Sequence, residues 1–552
     1  MSITKGIILL SIVGFAFGLR FYKVWDNPPA LSWDEVSIGY NAYSILKTGK
    51  DEHGRFLPLD TFVAYGDYKP PLPIYVTVPF VALFGLNELV VRLPSVLFGT
   101  LTVLLTYFLV KELFRDKETS PLIISHWLFD IASIAAAILA LSPWHINLSR
   151  AGFEANIGLF FILLGIYCVL VARKLSWVWI WAWIPFVAAI YTFNSARYFV
   201  PFMGLGLVVY CWKYISRQWK YIAIGVIIAV IALLPILPHL FSKEARLRFT
   251  EVNIFSDSRI VEVANERIAF DNHSILGNIL HNRRIGYIRS FFMHYLDNFS
   301  PEFLFIRGDG NPKFSTQDVG QMYIVDLPFL LLGFIMMFTY FRAQAWLLSY
   351  WLLAAIVPAA TARETPHALR ILNSLPTWHI FIAFGIMSAF QYRKKLRNRF
   401  VNTRTVYCLL LIALYAVNVS YYLYNYYVHY PRMYSGEWQY GYKQALAYVN
   451  SNKSTYKKIY LSESIGRAYM YTLFYAAYDP EQFQKNNSSY FDAAGFYHVD
   501  GFDMYVFTST LPASLDGSSL YIFPPGQVPN GATIKQTIVL LSGDPVLTIF
   551  EK

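Results

Sequence analysis

Hydrophobic residues in this chain are gathered into long blocks separated by shorter polar breaks. A membrane-crossing helix needs about 20 mostly apolar residues, and about eleven such runs can be drawn. They lie near residues 5–23, 88–110, 124–142, 155–173, 176–193, 197–214, 220–241, 324–341, 344–360, 370–390 and 405–425. A further apolar run at 71–85 opens with Lys69-Pro70-Pro71-Leu72-Pro73. It is short and proline-rich, so it reads as a re-entrant or juxtamembrane helix. The breaks differ in charge. Lys111, Arg115 and Lys117 fall in short loops, as do Arg173 and Lys174, then Lys213, Arg217 and Lys220, then Arg342. So do Arg393, Lys394, Lys395, Arg397, Arg399 and Arg404. Short basic loops mark the cytoplasmic side. With the N-terminus inside, the long segments 24–87, 242–323 and 430–552 fall on the other side.

The long segments have patterns of their own. From His281 to Asn298, Arg283, Arg284 and Arg289 alternate with Ile288, Phe291, Phe292 and Tyr295. That pattern suits an amphipathic helix on the membrane surface, or a lid packed on other loops. After residue 430 the spacing predicts helices over Trp438–Asn450 and Ser464–Ala477 and a strand over Lys458–Ser462. Short strands follow near 503–508, 519–523, 535–541 and 546–550. The expected organisation is a transmembrane domain over 1–429, with outer loops 24–87 and 242–323, and a small soluble α/β domain over 430–552. The latter has no Gly-rich phosphate loop, Cys/His cluster or Ser-His-Asp pattern.

Composition agrees with a polytopic membrane protein. The 552 residues are 56% hydrophobic and 15% charged, against about 45–50% and 25% in soluble chains. Aromatics reach 18%, which suits interfacial belts and sugar- or lipid-facing surfaces. The net charge of +11 is explained by the basic loops and does not imply a nucleic-acid partner. Cys168, Cys211 and Cys408 have neither metal nor disulfide spacing. Met1 to Lys23 shows no small-residue cleavage site and reads as a retained anchor.

Against this background the stretch Leu31-Ser32-Trp33-Asp34-Glu35 stands out. Two acids sit a few residues beyond the first apolar block, and ionisable groups at membrane depth are functional candidates. A carboxylate with a cationic partner stays ionised and can act as a base. The same acids could instead cap a short helix beginning near Val36. Other polar groups return to this side: Asp67 and Lys69; Trp144, His145, Arg150 and Glu154; Tyr191, Asn194, Ser195, Arg197 and Tyr198; Arg363, Glu364, His367 and Arg370. Cations there can hold a lipid phosphate and stabilise it as a leaving group. Nearby carboxylates can deprotonate an incoming hydroxyl or amine.

Asp34-Glu35, then Lys69-Pro70-Pro71-Leu72, then Arg92-Leu93-Pro94-Ser95, resemble the N-terminal half of polytopic GT-C glycosyltransferases. The likeness is to the protein O-mannosyltransferase and aminoarabinose (lipid A) transferase branch. Ser149-Arg150-Ala151 followed by Glu154 looks like that group's second acidic motif. The resemblance implies an α-helical GT-C membrane protein, an inverting enzyme fed by a polyprenyl- or dolichyl-phosphate sugar. It implies Asp34 as catalytic base, Glu35 as the neighbour that orients it, and Lys69 on the donor phosphate. Glu154 takes the place of the second acid, which positions the acceptor or links to a metal. Arg150, His367 and, on topology alone, Arg197 and Arg370 join as phosphate partners. In the aminoarabinose branch a glutamate directly precedes the lysine and contributes to a metal site. Here that position is Tyr68, with Asp67 one step earlier, so neither a divalent metal nor any cofactor is assigned.

The expected function is sugar transfer from a polyprenyl-phosphate donor to a lipid, polysaccharide or protein acceptor, outside the plasma (inner) membrane. Amphipathic outer loops favour a lipid acceptor. The alternative is a transporter or flippase for a lipid-linked or sugar substrate. Transporters often show internal repeats and midplane charges, whereas the ionisable groups here gather at one surface.

Overall fold

The computed structural model describes residues 3–115, 130–242, 250, 252–392, 403–492 and 495–552. The start of the predicted 124–142 span lies outside these residues, as do Lys117, Arg393, Lys394, Lys395, Arg397 and Arg399. The chain divides into two compact units. One comprises residues 1–19, 98–148 and 155–422, the other 20–97, 149–154 and 423–552.

The first unit is helical. Every described apolar block forms helix, but fewer than eleven helices are long enough to span. Among the described residues six are long and apolar enough, or seven if the pair Ile131–Leu141 and Pro143–Arg150, bent by 57°, counts as one. The block at 197–214 and most of that at 220–241 fall within one helical stretch, Asn194–Leu233, with non-helical backbone at Gln218, and the second block ends in a 3₁₀ turn, Leu234–Ile236, and a short helix, Leu237–Leu240. The 176–193 block breaks into a 3₁₀ turn, Ser176–Ile180, and a short helix, Ile184–Ile190. Proline is tolerated at the start of the latter because its missing N–H has no partner there anyway. The run at 71–85 becomes a 13-residue helix, Leu72–Phe84, too short to cross. The amphipathic stretch is the helix Arg283–Asp297, with no buried residue.

The second unit holds a seven-stranded mixed sheet. In chain order its strands are β3 (Lys458–Ser462), β4 (Asn487–Phe491), β5 (Tyr497–Phe502), β6 (Tyr505–Thr508), β7 (Ser519–Phe523), β8 (Thr533–Val539) and β9 (Pro545–Glu551). A separate hairpin, β1 (Phe62–Ala64) and β2 (Asp67–Lys69), precedes them. The sheet order is β4-β5-β6-β3-β7-β9-β8. β3 runs parallel to β6 and β7 at the centre, and the outer pairs are antiparallel. Buried on both sides, β7 reads as the continuous run Ser-Leu-Tyr-Ile-Phe. The sequence placed β3 and β7 at their observed bounds and missed β4, β5 and the helix Pro480–Asn486. Leu31, Val36, Tyr40 and Val91 share one core cluster with Ile459, Leu461, Tyr469, Met470, Tyr471, Leu473, Phe474 and Leu547. The first outer segment is therefore packed into the C-terminal sheet domain.

Candidate active site

The site begins at the helix Trp33–Thr48. Ser32, not an acid, is its N-cap, and the helix starts three residues before Val36. Ser32 Oγ accepts from Glu35 N at 3.4 Å, and Ser32 N donates to Glu35 Oε2 at 2.9 Å. This capping box satisfies the Glu35 N–H with the serine hydroxyl and the Ser32 N–H with the glutamate carboxylate. It fixes where Asp34 and Glu35 point. Asp34 is left with a side chain 35% exposed, while that of Glu35 is fully buried.

β1 and β2 deliver the lysine. Tyr65 and Gly66 form their two-residue turn, both at positive φ (61° and 93°), the geometry that matches strand twist. A Cβ at Gly66 would stand 2.9 Å from Gly495 O. Asp67 and Lys69 are two apart in β2 and so share a face. Pro70 and Pro71 then end the strand, because they cannot donate to the ladder. Lys69 Nζ donates to Asp34 Oδ1 at 2.6 Å and lies 3.7 Å from Asp67 Oδ2. Burial alone would lower the lysine's pKa. The carboxylates of Asp34, Glu154 and Asp67 outweigh it and hold the ammonium protonated above its usual range. Asp34, Lys69 and Glu154 are thus brought together as the sequence led us to expect. Among the described residues no group of three His, Cys, Asp or Glu side chains is arranged to hold a metal ion.

Behind this corner lies a second, sealed ion pair. Arg92 Nε donates to Glu35 Oε1 at 2.8 Å, and the same oxygen accepts from Gly152 N at 2.8 Å. Arg92 also donates to the carbonyls of Val24 (2.9 Å) and Pro28 (2.8 Å). Its guanidinium lies 5.8 Å from the Trp438 ring centroid. Glu35 therefore orients the loop and helix and has no open face toward a substrate. Arg150 needs a similar correction. Its buried guanidinium donates to the carbonyls of Arg20 (3.1 Å), Tyr22 (2.7 Å) and Asn27 (2.9 Å) and to the Tyr426 hydroxyl (3.1 Å). Those bonds make it a clamp on residues 20–27 rather than a ligand for phosphate.

Arg197, His367 and Arg370 belong to the other unit. Ser195 Oγ donates to Arg370 O at 3.0 Å, and Arg370 Nη1 to Glu364 O at 3.1 Å. His367 stacks at 5.0 Å on Phe314 and lies 3.9 Å from Asp309 Oδ2. Burial first, and Arg370 second, hold the His367 pKa well below the usual histidine value. The ring is neutral at physiological pH and offers a phosphate no charge.

Three features escaped the sequence reading. Arg92 was visible only as part of a motif. Arg467, which follows β3, lies 4.8 Å from the ring centroid of Tyr65, whose hydroxyl donates to Trp33 O at 3.0 Å. Glu52 is fully buried without a cationic partner. Its Oε1 accepts from Asn41 Nδ2 at 3.0 Å, and burial pushes its pKa up to about 8. Nothing in local spacing marks Arg467, whose partner Tyr65 is distant in sequence, while Glu52 is marked only by its burial against Asn41.

Residues 10–246 match the family described as dolichyl-phosphate-mannose-protein mannosyltransferase. Over 170 residues the chain is 28% identical to the Bacillus subtilis (strain 168) protein YycA, itself only provisionally named a mannosyltransferase. That match covers 30% of this chain and 22% of YycA. The apo structure of ArnT from Cupriavidus metallidurans is similar with a TM-score of 0.50 at 15% identity, covering 99% of this chain and 98% of ArnT. ArnT bound to undecaprenyl phosphate gives 0.49 at 14% identity, with the same coverage. The family match thus spans less than half of the chain, and over nearly its whole length the fold is similar to that of ArnT.

Proposed function

We propose that this protein is a membrane glycosyltransferase that moves a sugar from a polyprenyl-phosphate donor to an acceptor outside the plasma membrane. The observation that carries the reading is the Lys69–Asp34 pair: a buried ammonium 2.6 Å from a carboxylate that still faces open space. The family description, which names a dolichyl-phosphate mannose donor, supports a lipid-phosphate donor. The basic loops support an extracytoplasmic site.

In the proposed step an acceptor hydroxyl attacks the anomeric carbon from the face opposite the phosphate. The new C–O bond forms as the bond to the phosphate oxygen breaks, inverting the centre. Asp34 takes the hydroxyl proton. The lipid phosphate leaves with the bonding electron pair, its charge met by Lys69. Glu154 positions the acceptor. Glu35 and Arg150 act by holding the frame, and the 430–552 domain by packing against the helix that carries Asp34.

The test uses purified protein with polyprenyl-phosphate sugars and membrane extract, reading the release of polyprenyl phosphate. Wild type releases it, and Asp34→Asn does so at least about a hundredfold more slowly, as expected for loss of a general base. Equal rates in the two proteins overturn the role of Asp34. No release from any donor overturns the glycosyltransferase reading.

A further inference from the structure

A cavity of about 350 Å³ lies wholly within the C-terminal sheet domain, its wall largely apolar with a few polar groups. That volume falls in the range of small-molecule sites. Three tyrosines line it, with Asp503, Ser454 and Lys453 at its polar side. They come from separate connections that the sheet topology gathers at the starting edge of β3 and β6. Tyr456 and Lys453 lie on the segment leading into β3, Tyr478 follows the helix Ala468–Tyr475, and Asp503 and Tyr505 belong to the β5–β6 hairpin.

The aromatic wall is braced. The rings of Tyr478 and Tyr505 pack on Phe502 at 4.8 and 5.4 Å. The Tyr456 hydroxyl donates to Glu551 Oε1 at 2.5 Å. Asp503 occupies the two-residue turn at φ 52°, a conformation that aspartate tolerates better than most residues. Asp503 and Lys453 make no ion pair among the described residues. Held tyrosine faces beside a free carboxylate, an ammonium and a hydroxyl match a pyranose ring. Its C–H face is apolar, and its rim carries hydroxyls that both donate and accept.

The cavity is distinct from the Asp34–Lys69 corner. Arg467, which stacks on Tyr65 beside that corner, follows the far end of β3. Five residues of strand span about 15 Å. A sugar at the tyrosines is thus too far away to react at Asp34.

We propose that this cavity binds a pyranose unit of a glycan chain, and, resting on the glycosyltransferase reading above, that the chain is the acceptor. Saccharide binding and sugar transfer are measured separately, so either can fail alone. Saturation-transfer NMR on the full chain in detergent uses methyl α-mannopyranoside, methyl β-glucopyranoside and diacetylchitobiose at about 10 mM, which reveals millimolar affinity. The expected result is transfer to ring protons of at least one sugar. It falls at least about fivefold in Tyr478→Ala and in the milder Asp503→Asn, and it persists in Asp34→Asn. Absence of transfer from all three sugars, or transfer unchanged in both pocket variants, overturns the site. If wild type binds saccharide but Tyr478→Ala releases polyprenyl phosphate as fast as wild type, the saccharide site stands and the acceptor role falls.

Discussion

At the start of the Trp33–Thr48 helix, two adjacent carboxylates each meet a cation, and the two corners differ in solvent access. Asp34 pairs with Lys69, and its side chain keeps 35% of its exposure. Glu35 pairs with Arg92, and both side chains are fully buried. The first pair can exchange its partner for a substrate. The second cannot, because Glu35 is also bonded to Ser32 N and Gly152 N, and Arg92 to three backbone carbonyls. Adjacent acids of similar chemistry are thereby divided between an open corner and a sealed one. Glu52 is a third case, buried with an amide partner and a neighbouring His53 whose pKa burial lowers to about 4.

Removing one partner of the sealed pair has the largest expected effect on stability. Glu35→Ala leaves Arg92 buried and uncompensated, a loss of about 3–5 kcal/mol. Asp34→Asn costs less, because its side chain is partly open to solvent and the buried Lys69 keeps the carboxylates of Asp67 and Glu154. Chemical denaturation of both variants checks this, and equal losses would erase the distinction between the corners.

Lys69→Met sharpens the open corner. It leaves three carboxylates without their cation, so the apparent KM for donor rises about tenfold or more. An unchanged KM and kcat would show that Lys69 does not meet the phosphate. The lysine's raised pKa means that its contribution to stability is fully present below about pH 10 and is lost only above that. Between pH 6 and pH 9 the Asp34–Lys69 pair therefore adds no pH dependence of its own on the lysine side.

Glu52 has the opposite sign. Its folded pKa near 8 lies above the ordinary carboxyl value, so the unfolded chain binds fewer protons between about pH 4.5 and 8, and stability falls as pH rises through that window. Thermal melts of Glu52→Gln should match wild type near pH 5 and exceed it near pH 9. A variant less stable at both pH values would remove the desolvation account.

The smallest effect is at Gly152. A Cβ there would lie 3.2 Å from both Glu35 Cγ and Val91 O. Gly152→Ala should cost about 1 kcal/mol by crowding the sealed pair, measurable as a lowered denaturation midpoint with donor KM unchanged.

Much of the fold was legible locally. Apolar blocks marked the helices because a bilayer demands uninterrupted runs, and β3 and β7 stood out as short apolar strands. β4 escaped because its residues Asn487–Phe491 are mostly exposed and carry no alternating pattern. Apolar blocks and crossing helices do not correspond one to one among the described residues, because block length cannot tell a single long helix from a short, bent or broken one, as at Ile131–Arg150. In the site, Asp34 and Lys69 were legible from their acidic and Lys-Pro motifs. Arg150 was misread because its position in a motif does not reveal that four oxygens already surround its guanidinium.

The sequence by itself determined that this is a polytopic helical protein with a small C-terminal α/β domain. Those properties follow from composition and period, which act residue by residue. Only the tertiary structure decided which acid faces open space. Asp34 and Glu35 have the same neighbours along the chain. What separates them is the local Ser32–Glu35 capping box together with the Gly152 contact and the Arg92 clamp, and the last two join segments 117 and 57 residues apart.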